Sequence, residues 1–165
     1  KAAYYALLSG ACGHTYGHHS VWAMADGPLA GAASGGEPGN YILMGWREAL
    51  RRPGAEQMRW LRALGERFAP TGFAPDPGLL AGNFEGAGRQ VAARGAGCVV
   101  VYSPTGPYVD VSTDAGGLDP AGARWYDPRG GTLSDAPASI AGKALRFFTP
   151  TAGRGEDWVL IVPAR

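Results

Sequence analysis

The stretch Gly10-Ala11-Cys12-Gly13-His14-Thr15-Tyr16-Gly17-His18-His19 decides how the first half of this chain is read. Small residues at Gly10, Ala11 and Gly13 let another backbone approach closely. Residues 11–16 therefore read as a short buried strand that empties into a polar, aromatic, Gly-rich mouth. Three histidines and a tyrosine fall within six positions, and Trp22 follows. α/β folds place substrate contacts just past the carboxyl ends of such strands. One strand cannot make a sheet, so this unit expects neighbouring strands that the chain does not supply.

Upstream, Lys1 to Ser9 are helix formers with no breaker, and Tyr4, Leu7 and Leu8 share a face. Gly10 stops that helix, as a C-terminal glycine does. Downstream, a loop from Gly17 to about Tyr41 carries Gly27-Pro28, Gly31, Gly35-Gly36 and Pro38-Gly39. A loop of that length without structure of its own is uncommon and usually functional. Trp46-Arg47-Glu48-Ala49-Leu50 supplies one or two helical turns. Pro53 then opens an amphipathic helix that runs to about Phe68, because proline suits the first helical turn. Met58, Leu61, Leu64 and Phe68 recur at helical spacing on it. Helix, strand, long loop and helix make one βα unit preceded by the helix of another.

Pro70-Thr71-Gly72-Phe73-Ala74-Pro75-Asp76-Pro77 is a boundary, beyond which the period changes from helical to alternating. Strands are expected at 90–94, 98–102, 108–112, 123–126, near Thr132-Leu133, at 144–148 and at 158–162. Ser103-Pro104-Thr105-Gly106, Asp127-Pro128-Arg129-Gly130-Gly131 and Gly153-Arg154-Gly155 separate them as turns. Short strands at near-regular spacing indicate an antiparallel sandwich or barrel. The fold class is thus an α/β fragment over residues 1–72 followed by an all-β antiparallel sandwich over 73–165.

The chain has 165 residues, 45% of them hydrophobic and 18% charged, which describes a globular protein. A net charge of +1 with no basic block argues against nucleic acid or an anionic membrane surface as a partner. No apolar run approaches the roughly 20 residues that a spanning helix needs. Cys12 and Cys98 fall in different units and read as two small buried hydrophobes rather than a disulfide. The chain opens on Lys1 with neither an initiator Met nor a signal sequence, and it reads as cut from something longer.

The run from Tyr5 to Gly17, Tyr-Ala-Leu-Leu-Ser-Gly-Ala-Cys-Gly-His-Thr-Tyr-Gly, resembles the last helix–strand passage in the barrel of apiosidase-like glycoside hydrolases. Trp46-Arg47-Glu48-Ala49-Leu50, followed by Pro53-Gly54-Ala55-Glu56-Gln57-Met58 and Leu61, resembles the same family. Trp125-Tyr126-Asp127-Pro128-Arg129-Gly130-Gly131, Phe148-Thr149-Pro150 and Gly155-Glu156-Asp157-Trp158-Val159-Leu160 resemble the β-sandwich that follows such barrels, a family labelled collagen-binding. The resemblance implies that residues 1–72 are the end of a (β/α)8 barrel: the tail of helix seven, strand eight, its loop and helix eight. Such enzymes cleave glycosidic bonds with two carboxylates. In this family those would stand on earlier strands, before Lys1, so no catalytic residue is carried over. The resemblance further implies an oligo- or polysaccharide substrate of plant or related type, the remainder of the barrel as partner, no cofactor, and a secreted or periplasmic location.

His14, Tyr16, His18 and Trp22 are the candidate substrate-binding residues. An imidazole hydrogen-bonds a sugar hydroxyl or a catalytic carboxylate, and an indole face stacks on a sugar ring; the competing reading is that they brace the loop. His14-x-x-x-His18 has a zinc-like spacing, but Gly13 and Gly17 speak against a helix there and no third ligand stands close, so no metal is expected. Asp26, Glu37 and Glu48 read as solvated charges rather than an acid/base pair, because a Gly-rich loop holds catalytic groups poorly. The Trp125–Arg129 motif and Trp158 read as structural, a strand end entering a tight turn. Three functions stay open: the C-terminal part of a glycoside hydrolase, a carbohydrate- or collagen-binding module, and a non-binding buttress of the barrel.

Overall fold

A computed structural model describes residues 1–28 and 42–165. Helix α1 spans Ala2–Leu8 and ends on Ser9 and Gly10. Gly10 takes φ +94°, and the amides of Gly10 and Ala11 return to the carbonyls of Leu7 and Ala6 at 3.1 and 2.9 Å. That crossed pair satisfies two carbonyls the helix would leave open, and glycine adopts the left-handed turn without a Cβ clash. Helix α2 covers His19–Trp22, α3 Trp46–Ala49 and α4 Pro53–Phe68. The last agrees with the expected bounds, and its buried residues are Leu61 and Leu64.

The second half is built on strands joined by loops and short 3-10 turns, and every strand pairing in it is antiparallel. The strands are β1 (Ala74–Pro75), β2 (Val91–Gly95), β3 (Cys98–Ser103), β4 (Tyr108–Ser112), β5 (Arg124–Tyr126), β6 (Leu133–Asp135), β7 (Ala138–Ala141), β8 (Ala144–Phe148) and β9 (Trp158–Pro163). They form a six-stranded sheet in the order β1-β2-β3-β9-β5-β6 and a three-stranded sheet in the order β4-β8-β7. Period-two alternation sends Val99, Val101, Trp125, Leu160 and Val162 from the larger sheet and Val109, Val111 and Phe147 from the smaller into one core. The expected sandwich is therefore present, with two further strands, β1 and β7.

The opposite face of the larger sheet is just as dry. Val100 pairs with Ile161 and Tyr102 with Val159, and none of the four is more than 2% exposed. A strand buried on both faces reads as a continuous apolar run, which Cys98-Val99-Val100-Val101-Tyr102 is. Helix α1 lies over this face. Tyr4 stacks on Tyr102 with ring centroids 4.9 Å apart and planes 8° from parallel, while Tyr5 meets the same ring edge-on at 5.5 Å. Ala3, Tyr4 and Leu8 are buried, and burying a side chain the size of Leu8 contributes about 1.5–3 kcal/mol.

The C-terminal half of α4 joins the same cover. The carbonyl of Trp60 accepts the Tyr126 hydroxyl at 2.7 Å, and that of Phe68 accepts the Ala96 amide at 2.6 Å. Gly95 lies so close beneath the helix that an added Cβ would stand 2.2 Å from the Phe68 carbonyl oxygen. The chain groups into two compact units, Lys1–His14 with Trp60–Arg165, and Thr15–Arg59.

Three expectations are corrected. Residues 11–17 form no strand; they are exposed and without regular structure. A strand exists by pairing, and among the described residues none pairs with this stretch, while Gly10 and Ala11 are already used in closing α1. Cys12 is exposed, not buried; Cys98 alone is buried, and both thiols are free. Finally, the stretch expected as loop from Gly17 is broken by α2; its part over 29–41, with Glu37, lies outside the described residues.

Candidate functional site

His14 lies in the larger unit, exposed and outside any helix or strand. Tyr16, His18 and Trp22 belong to the smaller one. The Tyr16 ring sits over the start of α4, where a Cβ on Gly54 would come 2.9 Å from the phenol oxygen, so glycine makes the room. His18 caps α2: its Nδ1 accepts the Ser20 amide at 3.2 Å. That bond needs a free lone pair on Nδ1 and so places the proton of the neutral ring on Nε2. Trp22 is 80% exposed and meets His19 edge-to-face at 6.3 Å. An exposed indole beside an imidazole offers a sugar both an apolar face and hydrogen bonds.

The described carboxylates of the smaller unit are solvated. Asp26 pairs with Arg47 at 3.2 Å with both side chains largely in water, a contact worth little. Glu48 is exposed. Among the described residues, no group of three or more His, Cys, Asp or Glu is placed to hold a metal ion.

The Trp125–Arg129 motif is a clamp. Asp127 Oδ1 accepts both the amide and the Nε of Arg129 at 2.8 Å. Arg129 Nη1 reaches Glu156 Oε2 at 2.9 Å and the Gly155 carbonyl at 3.2 Å, and its guanidinium lies 4.8 Å over the Trp158 ring. The Thr151 hydroxyl and Arg129 together hold the Glu156 carboxyl below the usual carboxylate range. Trp125 and Trp158, 1% and 9% exposed, are core residues.

The outer face of the smaller sheet carries a cluster that sequence reasoning missed. Tyr108 stands opposite Phe148, and Asp110 opposite Arg146. The signal was there in the alternation of Tyr108-Val109-Asp110-Val111, which sends every second residue outward. A separate open cleft of about 580 Å³, bordered by Pro120, Arg124, Asp135 and Pro137, lies beside β5 to β7 and holds an exposed Arg124–Asp135 pair at 3.4 Å.

Residues 1–70 match the family described as "Apiosidase-like, catalytic domain". Residues 74–163 match the family described as "Putative collagen-binding domain of a collagenase". No curated protein matches the chain. Two solved structures align over 98% of this chain at 28% identity and a TM-score of 0.77, one titled a glycoside hydrolase and the other a glycoside hydrolase family 5 from Bacteroides vulgatus. The chain covers 35% and 34% of their lengths, about a third of each. Among the described residues, no helix is long and apolar enough to cross a membrane.

Proposed function

The chain belongs to the family of collagen-binding-type sandwich domains, joined here to apiosidase-like catalytic-domain sequence, and on that footing we propose that it forms the C-terminal part of a glycoside hydrolase. In this reading residues 1–72 close a (β/α)8 barrel, and residues 73–165 are the accessory sandwich. The enzyme acts on plant-type or related polysaccharides and works outside the cytoplasm, secreted or periplasmic. His14, Tyr16, His18 and Trp22 line its substrate path and orient the sugar. Its proton donor and its nucleophile or base are carboxylates on other strands of the barrel.

One observation carries the reading. Helices from the segment that matches the catalytic family, α1 and the end of α4, are the cover of the sandwich's larger sheet, through Tyr4 on Tyr102 and Trp60 on Tyr126. The sandwich thus braces two helices of the catalytic fold, which favours a buttress over a tethered, independently moving module. The test has two arms. The 165-residue chain, given plant-polysaccharide oligosaccharides, releases no reducing sugar. In the longer enzyme, His14→Ala lowers turnover by about five- to thirtyfold, the loss expected for a substrate hydrogen bond of about 1–2 kcal/mol. Sustained hydrolysis by the short chain that vanishes on replacing Asp26 or Glu37 would overturn the assignment of the acids to other strands.

A further inference from the structure

With the larger sheet covered on both sides, the smaller sheet keeps an outer face open, and its side chains are arranged rather than scattered. Antiparallel pairing of β4 with β8 puts Tyr108, Asp110, Arg146 and Phe148 side by side on it. Arg146 donates from Nε and Nη2 to the two oxygens of Asp110 at 2.8 and 2.7 Å, a two-pronged bond that fixes the guanidinium plane. That plane lies 3.8 Å over the Tyr108 ring. Tyr108 is fixed in turn: its carbonyl accepts from Gln90 Nε2 at 2.7 Å, and Gln90, 2% exposed, also binds Ser103 at 3.1 Å. The Phe84 ring flanks Tyr108 at 5.2 Å. Phe148 closes the row, edge-on to Tyr108 at 6.3 Å and 60% exposed.

We propose that this face binds a neutral polysaccharide chain, with Phe148 as the stacking platform and the Arg146–Asp110 pair reading the sugar hydroxyls. The proposal rests on the chain being part of a glycoside hydrolase, which sets the polymer at hand. The chemistry selects the ligand. Of the five guanidinium N–H groups of Arg146, two are spent on Asp110, and among the described residues no acceptor meets the other three. Asp110 keeps lone pairs of its own. Donors and acceptors in one plane suit adjacent sugar hydroxyls, each of which both gives and accepts. The pair is neutral as a unit, so an acidic polymer gains no net attraction from it. An exposed aromatic ring beside fixed polar groups matches a sugar's apolar C–H face, and the rigid arrangement spares the entropy of ordering long side chains on binding.

The experiment is affinity electrophoresis of the 165-residue chain in gels holding soluble β-glucan, arabinoxylan or galactomannan, with polygalacturonate and a triple-helical collagen peptide as competitors. Retardation by at least one neutral polymer is expected. Phe148→Ala, a change on the solvent side, should weaken it at least fivefold without shifting thermal unfolding. Arg146→Lys keeps the charge but loses the two-pronged bond, and should weaken binding in the same gels. No retardation by any neutral polymer, retardation unchanged in Phe148→Ala, or binding to polygalacturonate or collagen alone would overturn the proposal. Loss of gel binding with hydrolysis intact in the longer enzyme removes this proposal and leaves the glycosidase reading standing. Absent hydrolysis with gel binding retained removes the glycosidase reading alone.

Discussion

Replacing Gly131 with alanine tests whether α4 truly seats on the sandwich. Gly131 lies in the turn between β5 and β6 at φ +71°, and an added Cβ would fall 2.3, 2.6 and 2.9 Å from Cε3, Cδ2 and Cζ3 of Trp60. Ordinary contact begins near 3.4 Å, so the half-buried indole must retreat by roughly 1 Å and disturb its packing on this turn. Its backbone is tethered by the Tyr126 hydroxyl at 2.7 Å. Left-handed backbone costs an alanine about 1–2 kcal/mol, and overpacking costs about 1–3 kcal/mol. The expected loss is about 2–4 kcal/mol, allowing for partial relaxation. Gly130 is the matched control, since a Cβ there meets nothing within 4 Å and its φ is not positive. Urea unfolding of the two variants measures the difference. If Gly131→Ala unfolds within about 0.5 kcal/mol of Gly130→Ala, the packing of Trp60 on this turn is refuted.

Two further outcomes follow from the covered sheet. A chain shortened to residues 73–165 uncovers Val100, Tyr102, Val159 and Ile161 at once, so it should bind a hydrophobic dye and self-associate; a monomer as stable as the parent in urea would contradict the role given to α1 and α4. Burial, reinforced for Tyr102 by Asp157, pushes the Tyr4 and Tyr102 phenols well above their ordinary range. The unfolded chain then releases protons near pH 10 that the folded chain keeps, so stability should fall above that pH by about 1.4 kcal/mol per pH unit per phenol. Phenolate absorbance from these two residues should appear only with unfolding, and reversible ionisation near pH 10 in the intact fold would count against the buried stack.

The sandwich was legible because alternation is a local signal. Tyr108–Ser112 and Ala144–Phe148 were readable residue for residue. Ala74–Pro75 and Ala138–Ala141 were not: the first hides in a proline-rich boundary that only an edge strand tolerates, and the second is an exposed edge strand short of β-branched residues. The strand expected at 11–16 is absent because a strand needs a partner, and among the described residues none pairs with this stretch; the helix stop at Gly10 was legible, but the use of Ala11 in closing that helix was not. The meeting of Tyr4 with Tyr102 was out of reach, since nothing local to either residue names its partner. A hint of it existed in the unbroken apolar run at Cys98–Tyr102, which alternation alone does not require. Of the candidate site residues, the types were legible but the capping role of His18 was not, because it depends on Ser20 opening a four-residue helix.

The position of β9 sets the order in which this molecule can be completed. It is the last described strand to leave the ribosome, yet it sits between β3 and β5, the only link among the described strands joining one side of the larger sheet to the other. Until it arrives, β3 has one open edge and β5 another, and the apolar run beneath α1 has no finished floor. Residues roughly a hundred positions apart, Tyr4 and Tyr102, wait on that closure. Such long-range pairing slows folding and leaves strand edges exposed in the interval. A nascent chain that lacks Trp158–Pro163 therefore holds two half-sheets rather than one slightly shortened sheet, and its open strand edges stay available to chaperones or to other chains until β9 pairs.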